Sequence, residues 1–212
     1  MDFVLDPVEV RVLGCLLEKE TTTPEYYPMS LNALVNACNQ KSNRDPVVSY
    51  DDESVEDAIA SLKAKGLTLT ITGAGSRVPK YAHRFSEKLN LGRREIAILC
   101  ELMVRGPQTV GELKNRADRM HRFNDLEEVE SVLDRMGELV TKIPRRPGEK
   151  EQRYAHLLAG EPAVGVSDEA FETGQAGSRT DRIGALEAEV ARQRDELEEL
   201  KRQFADFRRQ FE

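Results

Sequence analysis

The chain opens with apolar residues that recur at the spacing of one helix face. Asp6 and Pro7 precede them and favour a helix start, because an Asp side chain caps free N–H groups and Pro suits the first helical position. The residues predicted to face the core are Val12, Leu13, Leu16 and Leu17. The pattern therefore predicts a first helix within residues 5–20.

Two more helices and a β-hairpin are predicted next. Ser30 is the predicted N-cap of the second helix, and the third helix spans about 53–65 and ends at Gly66, a residue type that commonly stops helices. The predicted inward residues are Leu31, Leu34, Val35 and Cys38 in the second helix and Val55, Ala58, Ile59 and Leu62 in the third. The alternating segment LTLTIT, the turn GAGS and the segment RVPKYAHRF then predict two paired strands.

The same order of patterns returns in the following part of the chain. A helix is predicted within 91–106, and Thr109 and Glu112 form a predicted capping box for the next one. The third helix is predicted to bury Leu126, Val129, Leu133 and Met136. LVTKI and RYAHLL predict the closing hairpin. This weak internal duplication predicts two like domains, at residues 1–88 and 89–160.

Three helices followed by a hairpin are the arrangement of a winged-helix domain. The predicted fold class is therefore mainly α with small β-hairpins (α+β), as two tandem winged-helix domains. Both copies end on Tyr-Ala-His, which is the predicted closing strand of each wing, with Tyr and His on one face and Ala on the other. The rings predicted to cover the neighbouring helices, and not to carry catalysis, are Tyr81, His83, Tyr154 and His156.

The C-terminal part of the chain has a different character. Residues 161–178 are rich in Gly, Ala, Ser and acids without helical periodicity, which predicts a flexible linker. Residues 179–212 carry heptads typical of a coiled coil, with Gln193 as a polar position in the seam. The predicted dimerisation residues are Ile183, Leu186, Val190, Leu197, Leu200, Phe204, Phe207 and Phe211. Opposite edge charges favour a parallel homodimer, and the alternative is one amphipathic helix that folds back on the second domain.

Two segments of the first half are similar to a known family. LDPVEVRVLGCLLEKE (5–20) and SLNALVNACNQKSNRDP (30–46) resemble the YceH-like family of uncharacterised bacterial proteins. The resemblance covers nearly all of residues 4–158. It implies tandem winged-helix domains and no established activity, and the terminal heptads fit a tail that such proteins can carry.

The charge of the chain is uneven and acidic overall. Residues 1–88 have 10 Lys or Arg and 13 Asp or Glu, a net charge of −3. Residues 89–160 have 13 and 12, a net charge of +1, and residues 161–212 have 8 and 13, a net charge of −5. The total of −7 makes the chain a poor non-specific binder of polyanions, so any contact with nucleic acid requires a local basic patch.

The sequence contains no motif that indicates catalysis. Its three cysteines and three histidines are far apart, so no metal site is predicted, and Cys15, Cys38 and Cys100 are expected to be buried, reduced thiols. No phosphate-binding loop, dinucleotide fingerprint, nucleophile elbow or zinc-protease motif occurs, which predicts a protein that is not an enzyme and needs no cofactor. Without an apolar run of about 20 residues or a secretion signal, the predicted location is the cytoplasm, with no membrane contact.

Basic residues are concentrated outside the predicted third helices. The nucleic-acid-binding candidates are Asn39, Gln40, Lys41, Asn43 and Arg44 in the first domain and Lys114, Arg116, Arg119, Arg122, Arg145, Arg146 and Lys150 in the second. The alternatives are a helix end with an Asx-type turn at residues 39–46 and a solvated charged face in the second domain. The third helices carry acids instead, and such a face repels DNA phosphates. These acids are Glu53, Glu56 and Asp57 in the first domain and Glu127, Glu128 and Glu130 in the second.

Two functions are compatible with these patterns. The leading hypothesis is a non-catalytic, regulator-like protein that contacts DNA through its basic loop and wing residues, and the part of it that depends on the fold is an analogy. The alternative is a protein–protein adaptor that uses the acidic third helices and the wings, without binding nucleic acid.

Overall fold

Helices begin at the residues whose side chains the sequence marks as caps. The computed structural model describes residues 3–72, 78–145 and 151–162. The first helix, α1 (Pro7–Thr22), begins where the Asp6 carboxylate accepts hydrogen bonds from the N–H groups of Val8 and Glu9. The Glu9 carboxylate accepts one from the N–H of Asp6 in return. Ser30 and Thr109 cap two later helices, and Thr109 does so within the predicted capping box.

Each half of the described chain has the order helix, strand, helix, helix, strand, strand. After α1 come β1 (Met29–Ser30), α2 (Leu31–Cys38), α3 (Asp52–Ala64), β2 (Thr68–Ile71) and β3 (Lys80–His83). A short helix, α4 (Phe85–Leu89), leads into the second half. That half consists of α5 (Arg93–Arg105), β4 (Gln108–Thr109), α6 (Val110–Arg116), α7 (Leu126–Arg135), β5 (Val140–Ile143) and β6 (Arg153–His156). The fold is therefore mixed helix and sheet, with seven α-helices in the described residues.

Each half closes with a three-stranded antiparallel sheet. The strand orders are β1–β3–β2 and β4–β6–β5, so the strand that carries Tyr-Ala-His is central in both sheets. Tyr81 pairs with Met29 on one side and with Thr70 on the other, and Tyr154 has equivalent partners. The predicted pairing of the two longer strands is confirmed in both halves. The strands β1 and β4 are additional, because a two-residue strand has no alternation that a sequence pattern could indicate.

The repeated triplet lies in the core. Tyr81, His83 and Tyr154 are buried, as predicted, and His156 is half-buried. Ala82 is as well buried as the rings beside it, so both faces of this central strand are covered. The Nε2 atom of His83 lies 2.8 Å from the carboxylate of Glu20. In the first half, this contact connects the central strand of the sheet to α1.

The two halves pack together through α1 and α5. Every residue from Glu9 to Glu18 is buried, so α1 is enclosed on all sides and not only along its predicted apolar stripe. A Cβ atom on Gly14 would lie 2.9 Å from Cγ1 of Val104 and 3.1 Å from Cβ of Met103, which means that the two helices approach closely there. One continuous cluster of buried residues runs through both halves.

The described residues belong to one compact unit, residues 1–164. The predicted division between residues 88 and 89 falls within α4, inside this unit. The existence of two separate domains therefore stays a prediction, and the observed feature is a shared helix–helix interface.

The third helices differ in how well the apolar pattern predicts their buried face. The four predicted residues of α3 are all buried. In α7, however, Leu126 is 49% exposed, so its predicted inward position is wrong. It directly follows the N-cap Asp125, where the first turn starts at the surface, and Val132 supplies the additional buried position.

Several predictions lie outside the described residues. They concern the linker from residue 163 onward, the coiled-coil seam with its homodimer, the turn GAGS, and the wing residues Arg146 and Lys150. Among the residues that are described, no helix combines the length and the apolarity that crossing a bilayer requires.

Candidate functional site

The basic candidates of the first half include a buried arginine. Arg44 is 5% exposed. Its Nε–H donates a hydrogen bond to the carbonyl oxygen of Ala37 at 3.0 Å, Nη1 donates to that of Asn43 at 2.7 Å, and Nη2 donates to Oε2 of Glu18 at 2.6 Å. The predicted contact of Arg44 with nucleic acid does not fit this position, because all three guanidinium nitrogens are already engaged inside the protein.

Glu18 is the centre of a set of charged side chains from both halves. Besides Arg44, its carboxylate contacts Arg119, whose Nη2 lies 2.9 Å from Oε1, and Lys19, whose Nζ lies 3.7 Å from Oε2. Arg119 also lies 3.7 Å from Oε1 of Glu101 on α5. Two basic segments that are distant in the sequence are therefore brought together by shared buried acids.

Glu101 forms the second acidic centre at this junction. The Nε atom of Arg105 lies 2.9 Å from its Oε2, and Nη2 of Arg105 donates a hydrogen bond to Oδ1 of Asn43. Neither this Nε–H nor this Oε2 forms an aligned hydrogen bond in the described part of the chain, so their contact is purely ionic. We refer to the whole set as the junction cluster, which consists of Glu18, Glu101, Lys19, Arg44, Arg105 and Arg119.

The two acids of the junction cluster differ in how easily they ionise. Burial by itself raises the pKa of the Glu18 carboxyl, but the hydrogen bond and the charge of Arg44 outweigh burial and lower that pKa. Burial raises the pKa of the Glu101 carboxyl, and the charges of Arg105 and Arg119 offset this only in part. Glu18 is therefore the firmly ionised partner, and Glu101 is the weaker one.

The other polar candidates after α2 are mostly used locally. The side-chain amide of Asn39 donates to the carbonyl oxygen of Tyr50 at 2.7 Å and accepts from the Tyr50 N–H at 2.8 Å, which closes the loop between α2 and α3. Gln40 lies within 3.5 Å of the Lys19 ammonium. Lys41 is exposed and forms no ion pair within the described ranges. Of these candidates, Lys41 is therefore the one whose side chain is free to contact a phosphate.

The basic candidates of the second half are also largely paired with acids. Arg116 lies 3.4 Å from Glu112 one turn earlier on α6, and the 89%-exposed Arg122 lies 3.9 Å from Asp118. Lys114 is half-buried and Arg145 is exposed. Local pairing leaves few uncompensated cations on this surface.

The outward faces of the third helices are acidic and exposed. No ion pair within the described ranges involves the following exposed acids: Asp52, Glu53, Glu56 and Asp57 on α3, and Glu127, Glu130 and Asp134 on α7. Glu128 is an exception, since it lies 3.2 Å from Arg94 and accepts hydrogen bonds from Asn124. It therefore belongs to the local structure and not to the free acidic face.

The thiols are confirmed as free and buried. Cys15, Cys38 and Cys100 are inaccessible, and Sγ of Cys100 lies 3.4 Å from the carbonyl oxygen of Gly14. Burial raises the pKa of the Cys100 thiol well above its ordinary value. In the described part of the chain, no group of His, Cys, Asp and Glu residues is arranged to hold a metal ion.

The junction residues Glu18, Lys19, Glu101 and Arg105 are absent from the sequence-based candidates. Glu18 and Glu101 lie in apolar helices, where a periodicity argument assigns charged residues to the solvent face. One signal in the sequence points to their burial: Glu18 and Glu101 lie directly beside residues of the apolar stripe. Buried acids require cationic partners. Neither the partners nor the burial of a second helix face can be read from one helix alone.

Comparison with known proteins shows that this chain is similar to bacterial proteins of one family. Residues 5–149 match the family model described as "Protein of unknown function, DUF480". The chain is 58% identical over 214 residues to a UPF0502 protein of Solibacter usitatus, with full coverage of both chains. It is 50% identical over 220 residues to a UPF0502 protein of Geobacter sulfurreducens, again over the full length of both, and 53% identical over 199 residues to one of Koribacter versatilis, with 90% of each covered.

Proposed function

We propose that this chain, which belongs to the DUF480 family of proteins of unknown function, is a non-catalytic adaptor that binds a basic protein partner. The observation that carries the proposal is the exposed acidic face of α3 and α7. Glu56 and Asp57 on α3, and Glu127 and Glu130 on α7, are exposed and have no ion-pair partner among the described residues. Such a face attracts surfaces rich in Lys and Arg and repels phosphates.

We further propose that each half is a winged-helix domain, as the YceH-like resemblance implies. The order helix, strand, helix, helix, strand, strand in both halves supports this assignment. Within it, α3 and α7 take the place of the helix that would enter a DNA groove. Because both of these helices are acidic on the outside, a protein partner fits them better than DNA does.

Charge reversal on α3 tests the adaptor function. The variant Glu56→Lys/Asp57→Lys and a control, Glu25→Lys/Glu161→Lys, change the net charge equally, and the control positions are exposed but lie outside the third helices and the wings. Quantitative affinity capture from native cells is expected to recover partners that wild type and control retain and that the α3 variant loses. Equal recovery by all three proteins would reject the proposal.

A second candidate function is binding of nucleic acid through residues beside the wing of the second half. Arg145, just after β5, is exposed and forms no ion pair with a described residue, and the exposed Lys142 lies near it with its ammonium 5.5 Å from the centre of the Tyr154 ring. Fluorescence anisotropy with a labelled DNA duplex at low salt is the test, because phosphate contacts make binding steeply dependent on salt. Absence of binding at micromolar protein, or binding that salt does not weaken, rejects this candidate.

We also propose that the adaptor resides in the cytoplasm as a homodimer. The homodimer is supported by the heptad pattern of residues 179–212, which would bring two adaptor units together and double the number of acidic faces. A pair of such faces would bind a repeated or dimeric partner more tightly than a single unit could.

A further inference from the structure

The junction cluster carries more positive than negative charge. Its four cations contact only two carboxylates, so the cluster has a net charge of +2 when both acids are ionised. Burial raises the pKa of the Glu101 carboxyl. Protonation of that carboxyl would add one positive charge to the surplus. A partly buried surplus of this size is costly unless an anion compensates it.

The cluster also retains guanidinium N–H groups that form no hydrogen bond with a described residue. Arg119 donates through Nη2 only, which leaves its Nε and Nη1 groups, and its side chain is 43% exposed. Arg105 and Lys19 are each 18% exposed and lie beside the same two acids. Nη1 of Arg105 forms no hydrogen bond with a described residue, whereas its Nε lies against Glu101 and its Nη2 donates to Asn43. These donors come from α1, α5 and the turn after α6, and they are linked through the carboxylates of Glu18 and Glu101.

We propose that the junction cluster is a binding site for a phosphate group, which Arg119, Arg105 and Lys19 hold from both halves of the chain. Guanidinium forks match the oxygen atoms of a phosphate, and a surplus of two charges matches a dianion better than a carboxylate. The site is independent of the acidic faces of α3 and α7, so it does not rest on the proposed adaptor function.

The buried members of the cluster position the donors. Glu18 accepts from both Arg44 and Arg119, and this fixes the Arg119 guanidinium at the surface with one nitrogen engaged. Arg44 has no exposed side-chain surface, so it compensates the charge of Glu18 and does not touch the ligand. The acids therefore orient the arginines.

A calorimetric titration of the full chain with inorganic phosphate, at constant ionic strength, tests the site. Arg119→Gln is expected to weaken phosphate binding by about tenfold or more, since it removes a charge-assisted contact. The matched control is Arg122→Gln, which removes a cation three residues away that lies outside the cluster and is expected to bind like wild type. Equal affinities of the two variants, or no phosphate binding by wild type, would overturn the proposal.

A second variant covers the case in which Arg119→Gln fails to fold. Lys19→Gln removes a long ionic contact of 3.7 Å and a weak hydrogen bond of 3.5 Å to Gln40, so this chain is expected to fold and to bind phosphate several-fold more weakly than wild type does. Unchanged binding by a folded Lys19→Gln protein would contradict the predicted role of Lys19. Equal binding of acetate, with the same dependence on Arg119, would exclude phosphate as the specific ligand.

The source of the phosphate is separated by two further titrations. A labelled oligonucleotide that binds, is displaced by inorganic phosphate and requires Arg119 identifies a nucleic-acid backbone as the source. Binding of inorganic phosphate or a mononucleotide without the oligonucleotide identifies a small phosphate. Both results support the phosphate site. Only the first would favour nucleic-acid binding over the adaptor as the overall function.

Discussion

Glu18 and Arg119 are 101 residues apart in the sequence, yet Nη2 of Arg119 donates a hydrogen bond to Oε1 of Glu18 at 2.9 Å. The other carboxylate oxygen of Glu18 accepts from the buried Arg44. One acid on α1 thereby connects the loop after α2 to the turn after α6. Arg44 and Arg119, which the sequence assigns to a nucleic-acid surface, therefore help to join the two halves.

Removing the charge of Glu18 is expected to destabilise the protein strongly. Glu18→Gln leaves Arg44 buried without a counter-charge, and breaking one side of a buried pair costs about 3–5 kcal/mol of unfolding free energy. Chemical denaturation measures this change. The control Glu87→Gln removes an exposed pair with Arg84 and should leave the free energy of unfolding almost unchanged. Equal effects of the two substitutions would mean that the junction does not stabilise the fold.

The close approach of α1 and α5 gives a second prediction. Gly14→Ala places a methyl group 2.9 Å from Cγ1 of Val104, so overpacking should lower the free energy of unfolding by about 1–3 kcal/mol. Adding Val104→Ala should restore part of this loss. Gly111→Ala is the control, because its new methyl group meets only Oγ1 of Thr109 at 4.0 Å and replaces a helical glycine. If both single variants are equally stable, the two helices do not approach as described.

Much of the fold follows from local signals, and the junction does not. Asp6, Ser30 and Thr109 start their helices because capping is a property of neighbouring residues. Leu126 is exposed although its spacing is apolar, because a first-turn position can lie outside the interface. Glu18 is buried because a helix of the other half covers the second face of α1, and a pattern within one helix contains no information about that neighbour.

The free acidic faces are the part of the candidate site that the sequence predicts best. Glu56 and Asp57 lie outward on α3 because the buried positions of that helix follow helical spacing without exception. Glu128, predicted to be part of the same kind of face, is instead fixed by Arg94 and Asn124. Its pairing depends on the position of α5, which the sequence of α7 does not specify.

His156 is expected to make stability depend on pH in the mildly acidic range. Burial lowers the pKa of His156 to about 4, below the ordinary value of 6.5, so the folded state disfavours the charged imidazolium. The unfolded chain takes up this proton first as the pH falls below 6.5, and stability is lost from there down to about pH 4. At pH 5 the loss from this group is about 2 kcal/mol relative to neutral pH.

The substitution His156→Phe isolates this contribution. Urea denaturation at pH 7 and pH 5 should give a smaller difference in unfolding free energy for the variant than for wild type, by about 2 kcal/mol. Acids whose pKa is lowered in the folded protein, such as Glu18, reduce the unfolding free energy of both proteins as the pH falls. Their contribution is the same in both and cancels in the comparison. An identical difference for both proteins would mean that His156 is not buried as a neutral ring.

The homodimer prediction depends on residues 179–212. Light scattering of the full chain should give about twice the chain mass of 23.9 kDa, and Leu197→Glu/Leu200→Glu should return it to one chain mass by placing charges in the predicted seam. Glu198→Gln/Glu199→Gln changes neighbouring positions outside the seam and should keep the dimer. A wild-type protein that scatters as a single chain would end this prediction.

The most direct test of the adaptor function is to compare the partners captured from native cells by three forms of the full chain. These are wild type, Glu56→Lys/Asp57→Lys on the acidic face of α3, and the equally charged control Glu25→Lys/Glu161→Lys. We predict that one or more partners with basic surfaces are recovered with wild type and control and lost with the α3 variant. Recovery of the same partners in the same amounts by all three forms would contradict a function carried by the acidic third helices.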